Sequence, residues 1–215
     1  ITMLFHDFIK YVPKIEKEKL LATDAHVKMA PLERISYLKE EYYQDKYPRQ
    51  AAVLMLLYPK NKVTHLALIV RNSYPGVHSS QIGFPGGKVE EEDIDLAATA
   101  LRETHEEVGV SSEKVEIIKP FSQIYISPSN FLVAPFMGIS QQELTFVPDL
   151  DEVKRVLEFP LHALLDEKTI TNVKMTTSYA TDIEVPAFMV EKYVVWGATA
   201  MMMSELKEAI KSGIR

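Results

Sequence analysis

The chain has 215 residues, of which 47% are hydrophobic and 25% charged, with a net charge of −6 and no cysteine. This composition fits one globular domain with an extension, or two very small domains, and it excludes disulfides, thiolate metal sites and cysteine nucleophiles. The acidic balance argues against broad binding to nucleic acid or to anionic membranes. The longest apolar run, residues 51–58, has eight residues, whereas about 20 are needed to cross a bilayer. Because charges also interrupt the first twenty residues, no signal peptide is expected and we predict a soluble, cytoplasmic protein.

Residues 1–48 are predicted to form an N-terminal helical extension. Residues 3–21 place apolar side chains such as Leu4, Phe8 and Ile15 at helical spacing, and residues 31–43 are predicted to form a second helix that begins at Pro31. The extension has two possible uses, namely packing against the following domain or forming a homodimer contact. Its mixture of Lys and Glu does not favour a membrane-surface helix.

Residues 49–215 are predicted to form the main domain. Two strand-like runs, 51–58 and 64–71, flank a short polar turn and indicate a hairpin, and the loop that follows them is rich in turn residues. A helix is predicted over 95–108, where Gly109 ends it. Further strands are predicted at 114–119, 121–126, 130–137, 152–158, 169–176 and 183–190, with helices near 160–166 and over 198–212. This order of elements indicates a mixed α/β sandwich.

The helix over 95–108 carries three glutamates that the sequence places on one side. At about 100° per residue, Glu103, Glu106 and Glu107 fall within one arc. The predicted buried stripe comprises Ala97, Ala100, Leu101, Thr104 and Val108. Three like charges near the negative end of the helix dipole repel each other, and a divalent cation would remove this conflict. The alternative is a solvated acidic face, but the preceding glycines and the adjacent Arg102 favour a metal site.

This segment resembles a Nudix box, the family pattern GX5EX7REUXEEXGU in which U is aliphatic. The matching residues are Gly87, Arg102, Glu103, Glu106, Glu107, Gly109 and Val110. Two positions depart from the pattern. The upstream acid is Asp93 in place of Glu, with eight residues between it and Arg102 where the pattern has seven, and Thr104 replaces an aliphatic residue. The extra residue is similar to the spacing in the coenzyme A-type subgroup of the family.

The loop before the box resembles the upstream signature of that subgroup, LLxxRSxxLRxHxGQUxFPGG. The agreeing residues are Arg71, His78, Gln81, Phe84, Pro85, Gly86 and Gly87. Gly76 replaces the second arginine, Ser80 replaces a glycine, and Asn72 separates Arg71 from Ser73. The run over residues 196–200 is similar to the start of the last helix in the subgroup.

The resemblance implies a Nudix α/β/α sandwich and a metal-dependent diphosphatase. Its substrate would be coenzyme A or an acyl-CoA, cleaved to 4′-phosphopantetheine or its acyl derivative and adenosine 3′,5′-bisphosphate. Another nucleoside diphosphate derivative, such as ADP-ribose, NADH or a dinucleoside polyphosphate, is an open alternative. A non-catalytic domain that senses a nucleotide is a further alternative, which the three retained glutamates disfavour.

The resemblance also implies roles for individual residues. Glu103, Glu106 and Glu107 are expected to bind Mg²⁺ or Mn²⁺, with the Gly87 carbonyl as an added ligand and Arg102 completing the catalytic set. Glu103 is favoured as the general base.

The substrate is expected to contact residues of the loop and of the glycine segment. These residues are Arg71, His78, Gln81 and Lys88. A strand-edge salt bridge is the other interpretation of Arg71. Trp196, Phe131 and Phe136 are expected in the core, and Glu152 is interpreted as a surface residue in preference to an additional acid near the metal.

Overall fold

A mixed β-sheet forms the centre of the computed structural model, which describes residues 2–72, 81–176 and 182–215. The strands are β1 (Arg49–Lys60), β2 (Val63–Arg71), β3 (Ile82–Gly83), β4 (Gly86–Lys88), β5 (Glu116–Pro120), β6 (Ile124–Ile126), β7 (Phe131–Ile139), β8 (Val153–Pro160), β9 (Ile170–Met175), β10 (Ile183–Val190) and β11 (Tyr193–Val195). The α-helices are α1 (Phe5–Lys17), α2 (Thr23–His26), α3 (Glu40–Tyr43), α4 (Leu96–Val108), α5 (Leu161–Leu165) and α6 (Gly197–Ile214). Short 3₁₀ helices cover Val27–Met29, Leu32–Leu38, Gln44–Lys46, Ser112–Lys114 and Glu167–Thr169. Among the described residues, no helix has the length and apolar character that a membrane crossing requires.

Strand β1 organises an eight-stranded sheet in which β3, β2, β1, β7 and β5 are successive neighbours. It forms the predicted hairpin with β2, where Lys60 pairs with Val63, and it runs parallel to β7, where Arg49 pairs with Phe131. Strand β4 pairs with β1, β6 with β7, and β8 with β2, while β9, β10 and β11 form a separate three-stranded sheet. Because both faces of β1 are covered, its sequence is a continuous apolar run.

Alternate side chains of β1 enter two different cores. Leu54 and Leu56 pack with residues of α4 such as Ala100 and Val108. Met55 and Leu57 pack in a larger core with residues of β2, α1 and α6. Helices therefore cover both faces of the mixed sheet, and the predicted α/β/α sandwich is confirmed.

The first helix of the extension is confirmed, but the second is not. Helix α1 packs on α6 so closely that a Cβ on Gly213 would lie 2.4 Å from Cγ1 of Ile15. In place of one helix over 31–43, the chain forms a 3₁₀ helix and the short α3, which extended backbone at Lys39 separates. The tyrosines of this segment stack on one another and on Tyr125 of β6, so that packing against the edge of the sheet overrides the helical pattern.

Most of the other predicted elements occur within a few residues of their predicted bounds. The strand expected over 121–126 is limited to β6, and the final helix begins one residue earlier and ends two residues later than predicted. Strands β3, β4 and β11 have two or three residues each and were not predicted. Runs of this length have too few side chains to show a period of two.

A buried carboxylate joins α6 to the extension. Glu205 is 1% exposed, and its side chain accepts hydrogen bonds from the backbone N–H of Ala22 at 2.7 Å and from the N–H and hydroxyl of Ser122 at 3.0 and 2.7 Å. His26 Nε2 lies 3.4 Å from its second oxygen. Burial alone would raise the pKa of Glu205, but the nearby His26 and the hydrogen bonds from Ser122 outweigh it and hold this pKa below its ordinary value. The anionic form therefore stabilises the fold.

Replacing Glu205 tests this junction. We expect Glu205→Gln to lower the free energy of unfolding by about 2 kcal/mol at neutral pH, because an amide cannot accept all of these hydrogen bonds. In the parent protein this contribution is present above the ordinary carboxyl pKa of 4.5 and is lost as the pH falls through the lowered folded-state value. Urea unfolding at several pH values measures both effects. Glu208→Gln, which alters an ion pair with Lys28 at the surface, is the control and should change stability by less than about 0.5 kcal/mol.

Candidate active site

Strand β4 pairs with β1, and the glutamate-bearing helix α4 packs on both strands. Gly87 pairs with Ala52 of β1, and α4 packs directly against this short strand. Helix α4 begins where the Asp95 side chain accepts a hydrogen bond from Ala98 N–H at 2.7 Å, and it ends at Gly109, whose φ of 73° is left-handed. Both bounds confirm the prediction, since each depends on a local capping residue.

The Glu103 carboxylate lies against the backbone of β4. A Cβ on Gly87 would lie 2.4 Å from the carboxyl carbon of Glu103, a separation that no side chain permits. A side chain at position 87 would therefore displace the Glu103 carboxylate from this place. The half-buried position of Glu103 raises the pKa of its carboxyl above the ordinary value, and the adjacent Arg102 opposes this rise.

Glu107 is buried, unlike its two neighbours in the box. The residue is 2% exposed, and its Oε2 accepts a hydrogen bond from Gly86 N–H at 2.8 Å. Its Oε1 lies 3.0 Å from Arg71 Nη1, and the same guanidinium donates to the Gly86 carbonyl at 2.7 Å. Burial raises the pKa of Glu107 to about 7, although Arg71 and the Gly86 N–H oppose this rise. Arg71 was expected either to bind substrate or to form a salt bridge, and in this structure it forms a salt bridge with Glu107.

The predicted buried stripe of α4 therefore needs a correction. The buried residues are Thr99, Ala100, Thr104, Glu107 and Val108, whereas Ala97 and Leu101 are half-buried. The helical spacing places Glu107 near the edge of the acidic arc. Its burial follows from the contact with β4, which the period of a single helix does not reveal.

Arg102 connects the remaining acids. Its guanidinium makes two hydrogen bonds of 2.9 Å to Asp93, and its Nη1 contacts Glu103 at 3.1 Å and Glu106 at 2.9 Å. Its Nη2 also donates to the Lys88 carbonyl at 3.0 Å. The hydrogen bonds from Arg102 hold the pKa of Asp93 well below its usual range. The acid that departs from the family pattern thus fixes the arginine of the box.

Glu152, at the residue before β8, is exposed and also reaches the site. The backbone N–H of Asn72 donates to the Glu152 carbonyl at 2.8 Å, which attaches this residue to the end of β2. Burial is the main cause of the raised pKa of Glu103 and of Glu107, and the negative charge of Glu152 adds a smaller rise to both. Glu152 is exposed, as predicted, but its proximity to Glu103 and Glu107 was not predicted, because the pairing of β2 with β8 is not visible in the sequence.

The acidic residues share one cavity of about 660 Å³. Its acidic end is lined by Glu103, Glu106, Glu107 and Glu152. One set of lining residues comes from β3, the segment after it and the start of α6, namely Ile82, Phe84 and Trp196. A second set comes from the extension and from the region of β6 and β7, namely Pro31, Arg34, Ile126 and Phe131. Trp196, Phe131 and Phe136 were expected in the core, and all three are half-buried. Phe131 packs against the larger core and Phe136 against the core beside α4, while Trp196 and Phe131 also line the cavity.

The residues predicted to bind substrate differ in their placement. Gln81 and Lys88 line the cavity, and the carbonyl of Gln81 accepts a hydrogen bond from the Arg71 N–H at 3.0 Å. Arg71 also lines the cavity, but its guanidinium contacts Glu107. His78 lies outside the described residues.

The donor set suits a hard divalent cation. Oε1 of Glu107 is buried and, although it lies 3.0 Å from Arg71 Nη1, it accepts no hydrogen bond from the part of the chain that the structure describes. Carboxylate oxygens are the ligands that Mg²⁺ and Mn²⁺ prefer. In ranges 2–72, 81–176 and 182–215, no three acidic or histidine side chains converge closely enough to hold an ion as they stand. Each glutamate of the box contacts an arginine, so a cation and these arginines compete for the same oxygens.

The family model of the NUDIX domain matches residues 47–179. The chain belongs to the Nudix hydrolase family. It is similar to the uncharacterized Nudix hydrolase NudL of Enterobacter sp. (strain 638), with 31% identity over 191 residues that cover 86% of this chain and 94% of the relative. NudL of Klebsiella pneumoniae subsp. pneumoniae is 35% identical over 167 residues, covering 78% and 84%.

Solved Nudix structures share the fold. RenU, a Nudix hydrolase from M. smegmatis, superposes with a TM-score of 0.54 and 14% identity over 77% of this chain and 87% of its own. A MutT/nudix family protein from Enterococcus faecalis gives a TM-score of 0.51 and 17% identity over 88% and 73%. Nudix hydrolases generally use divalent cations, and this Nudix protein is an enzyme that hydrolyses the diphosphate of a nucleoside diphosphate derivative.

The contact between Gly87 and Glu103 can be tested by adding one methyl group. We expect Gly87→Ala to lower kcat about 10-fold or more, because the new Cβ displaces the Glu103 carboxylate. Hydrolysis of a nucleoside diphosphate derivative with a divalent cation measures the effect, and a melting curve checks the fold. Gly83→Ala is the matched control, since its nearest neighbour would be Arg71 Nε at 3.8 Å. Equal losses in both variants would contradict the assignment.

Proposed function

We propose that this Nudix hydrolase cleaves the diphosphate of coenzyme A or an acyl-CoA. The observation that carries the proposal is the cavity, in which one acidic end adjoins two sets of largely apolar wall residues. Coenzyme A has the matching layout, because a central diphosphate joins an adenosine half to a long pantetheine half. The Phe84-Pro85-Gly86-Gly87 run and the eight-residue spacing after Asp93 support the same subgroup.

The proposed cation ligands are Glu103, Glu106 and Glu107 of the box with the Gly87 carbonyl, and we add Glu152. A bound Mg²⁺ or Mn²⁺ would neutralise the diphosphate and lower the pKa of attached water. The chain prepares these ligands through its arginines. Arg71, together with Gly86, holds Glu107 in its buried position, and Arg102 holds Glu103.

Glu103 is the proposed general base. Its raised pKa makes it a better proton acceptor than an ordinary carboxylate, and its fixed position against Gly87 keeps it at the acidic end of the cavity. We further propose that Lys88, Gln81 and His78 bind the substrate, while Arg71 acts mainly by positioning Glu107.

In this proposal residues 49–215 form the Nudix domain and residues 1–48 an extension that completes it. The packing of α1 on α6 and the junction at Glu205 support this division, since they attach the extension to the end of the domain. The pantetheine half would lie along the wall that contains Phe84 and Trp196, and the adenosine half along the wall that contains Phe131.

Single substitutions test the ligand assignment. We expect Glu103→Gln and Glu107→Gln each to lower kcat about 100-fold or more and to raise the concentration of Mg²⁺ or Mn²⁺ needed for half-maximal rate, because each removes a charged ligand. Steady-state kinetics across a cation titration measures both quantities. Glu91→Gln, at an exposed position before α4, should behave like the parent protein. An active Glu107→Gln enzyme with an unchanged cation requirement would contradict the assignment.

A substrate panel tests the reaction itself. The purified protein is incubated with coenzyme A, ADP-ribose, NADH and a diadenosine polyphosphate, with Mg²⁺ or Mn²⁺ or with a chelator. We expect the highest kcat/KM for coenzyme A or its acyl derivative, products that include adenosine 3′,5′-bisphosphate, and no turnover with the chelator. Hydrolysis of ADP-ribose without hydrolysis of coenzyme A would overturn the substrate, and turnover of none of them would favour a nucleotide sensor.

A further inference from the structure

Glu152 differs from the glutamates of the Nudix box in the way it is held. Each glutamate of the box contacts the guanidinium of Arg71 or of Arg102. Glu152 lines the same cavity, but among the residues that the structure describes its carboxylate forms no ion pair. Its place at the acidic end of the cavity therefore depends on the backbone that carries it.

That backbone is a turn over residues 149–152, here called the Glu152 turn. The N–H of Asp149 donates to the Glu107 carbonyl at 3.0 Å, which attaches the turn to the end of α4. The N–H of Glu152 donates to the Asp149 carbonyl at 3.1 Å and closes the turn. Leu150 is 70% exposed, so burial of its side chain contributes little. Hydrogen bonds therefore fix the Glu152 turn more than apolar packing does.

Asn72, the residue after β2, holds the other side of the Glu152 turn. Its side-chain amide donates hydrogen bonds to the carbonyl of Leu150 at 2.7 Å and to that of Asp151 at 3.3 Å. Its backbone N–H donates to the Glu152 carbonyl at 2.8 Å. One residue thus contacts three consecutive carbonyls of the turn. A substitution at position 72 removes the two side-chain contacts and retains the backbone one.

The end of β2 reaches two acids of the cavity through neighbouring residues. Arg71 contacts Glu107, and Asn72 contacts the turn that carries Glu152. The register between β2 and β8 shifts after Val70, so the regular ladder of hydrogen bonds is interrupted just before these two residues. Their side chains therefore take over the connection between β2 and the acidic end of the cavity.

We propose that Asn72 is a positioning residue that holds Glu152 where it can bind the divalent cation. The inference rests on the proposed function, in which Glu152 is a cation ligand beside the glutamates of the box. A ligand that is already held in place binds an ion more tightly than one that must be ordered on binding. Asn72 lies outside the Nudix box and acts on the cation only through Glu152.

Binding of Mn²⁺ in the absence of nucleotide tests the inference without turnover. Calorimetry gives the affinity of the parent protein, of Asn72→Ala, of Glu152→Gln and of the double variant. We expect each single substitution to weaken Mn²⁺ binding about 10-fold. The double variant should bind like Glu152→Gln alone, because Asn72 acts through Glu152. An Asn72→Ala loss that is equally large with and without Glu152, or no loss at all, would overturn the inference.

Turnover distinguishes a failure of this inference from a failure of the proposed function. Asn72→Ala should raise the Mn²⁺ concentration for half-maximal rate about 10-fold and change kcat at saturating Mn²⁺ by less than about 3-fold. A lower kcat with an unchanged Mn²⁺ requirement would overturn the role of Asn72 and leave coenzyme A as the substrate. Mn²⁺ binding that depends on Asn72 through Glu152, in a protein that hydrolyses ADP-ribose but not coenzyme A, would support the role of Asn72 and overturn the proposed substrate.

Thr169→Ala is the matched control. The Thr169 hydroxyl also contacts two backbone carbonyls, those of Ala163 at 3.0 Å and Asp166 at 2.7 Å, but it lies outside the cavity lining. We expect this variant to keep the parental affinity for Mn²⁺, and a loss as large as that of Asn72→Ala would count against a specific role for Asn72. Melting curves check that the variants fold. Asn72→Ser retains one donor, should lose less affinity than Asn72→Ala, and replaces it in the double variant if Asn72→Ala does not fold.

Discussion

The site depends on the close contact between the backbone of β4 and two carboxylates of α4. Gly87 leaves no side chain between the strand and Glu103, and the N–H of Gly86 holds Glu107. Strand β4 keeps its place because it pairs with β1, which is itself fixed by β2 on one side and by β7 on the other. The position of the glutamates is therefore set by the centre of the sheet. A small displacement of β1 would move β4 and, with it, the two carboxylates that contact β4.

Arginines resolve the like-charge repulsion that the sequence makes evident. The helical pattern suggested that a divalent cation offsets the repulsion between three neighbouring glutamates. In the structure Arg71 contacts Glu107, and Arg102 contacts Glu103 and Glu106. Such contacts keep a buried acid such as Glu107 from being left uncompensated, and they also aim the carboxylates before any ligand arrives. Asp93 extends this arrangement, because its two hydrogen bonds fix the guanidinium of Arg102.

The features that could be predicted from the sequence are those with local causes. The bounds of α4 follow from Asp95 and Gly109, and the hairpin of β1 and β2 follows from two apolar runs around a short turn. The burial of Glu107 and the approach of Glu152 could not be predicted, because they depend on strands far apart in the chain. The split of the second N-terminal helix has the same origin, since tyrosine contacts with β6 decide it.

Helix α6 follows the Nudix box in the chain, so it is synthesised after the box. This helix, residues 197–214, carries cavity residues such as Met201 and Met202, and its Glu205 binds the backbone of Ala22. Segments near the two ends of this sequence thus meet beside the Nudix box, which lies between them. On a ribosome, a nascent chain would expose the complete Nudix box well before the wall beside it could close. The cavity is therefore complete only after α6 has been synthesised.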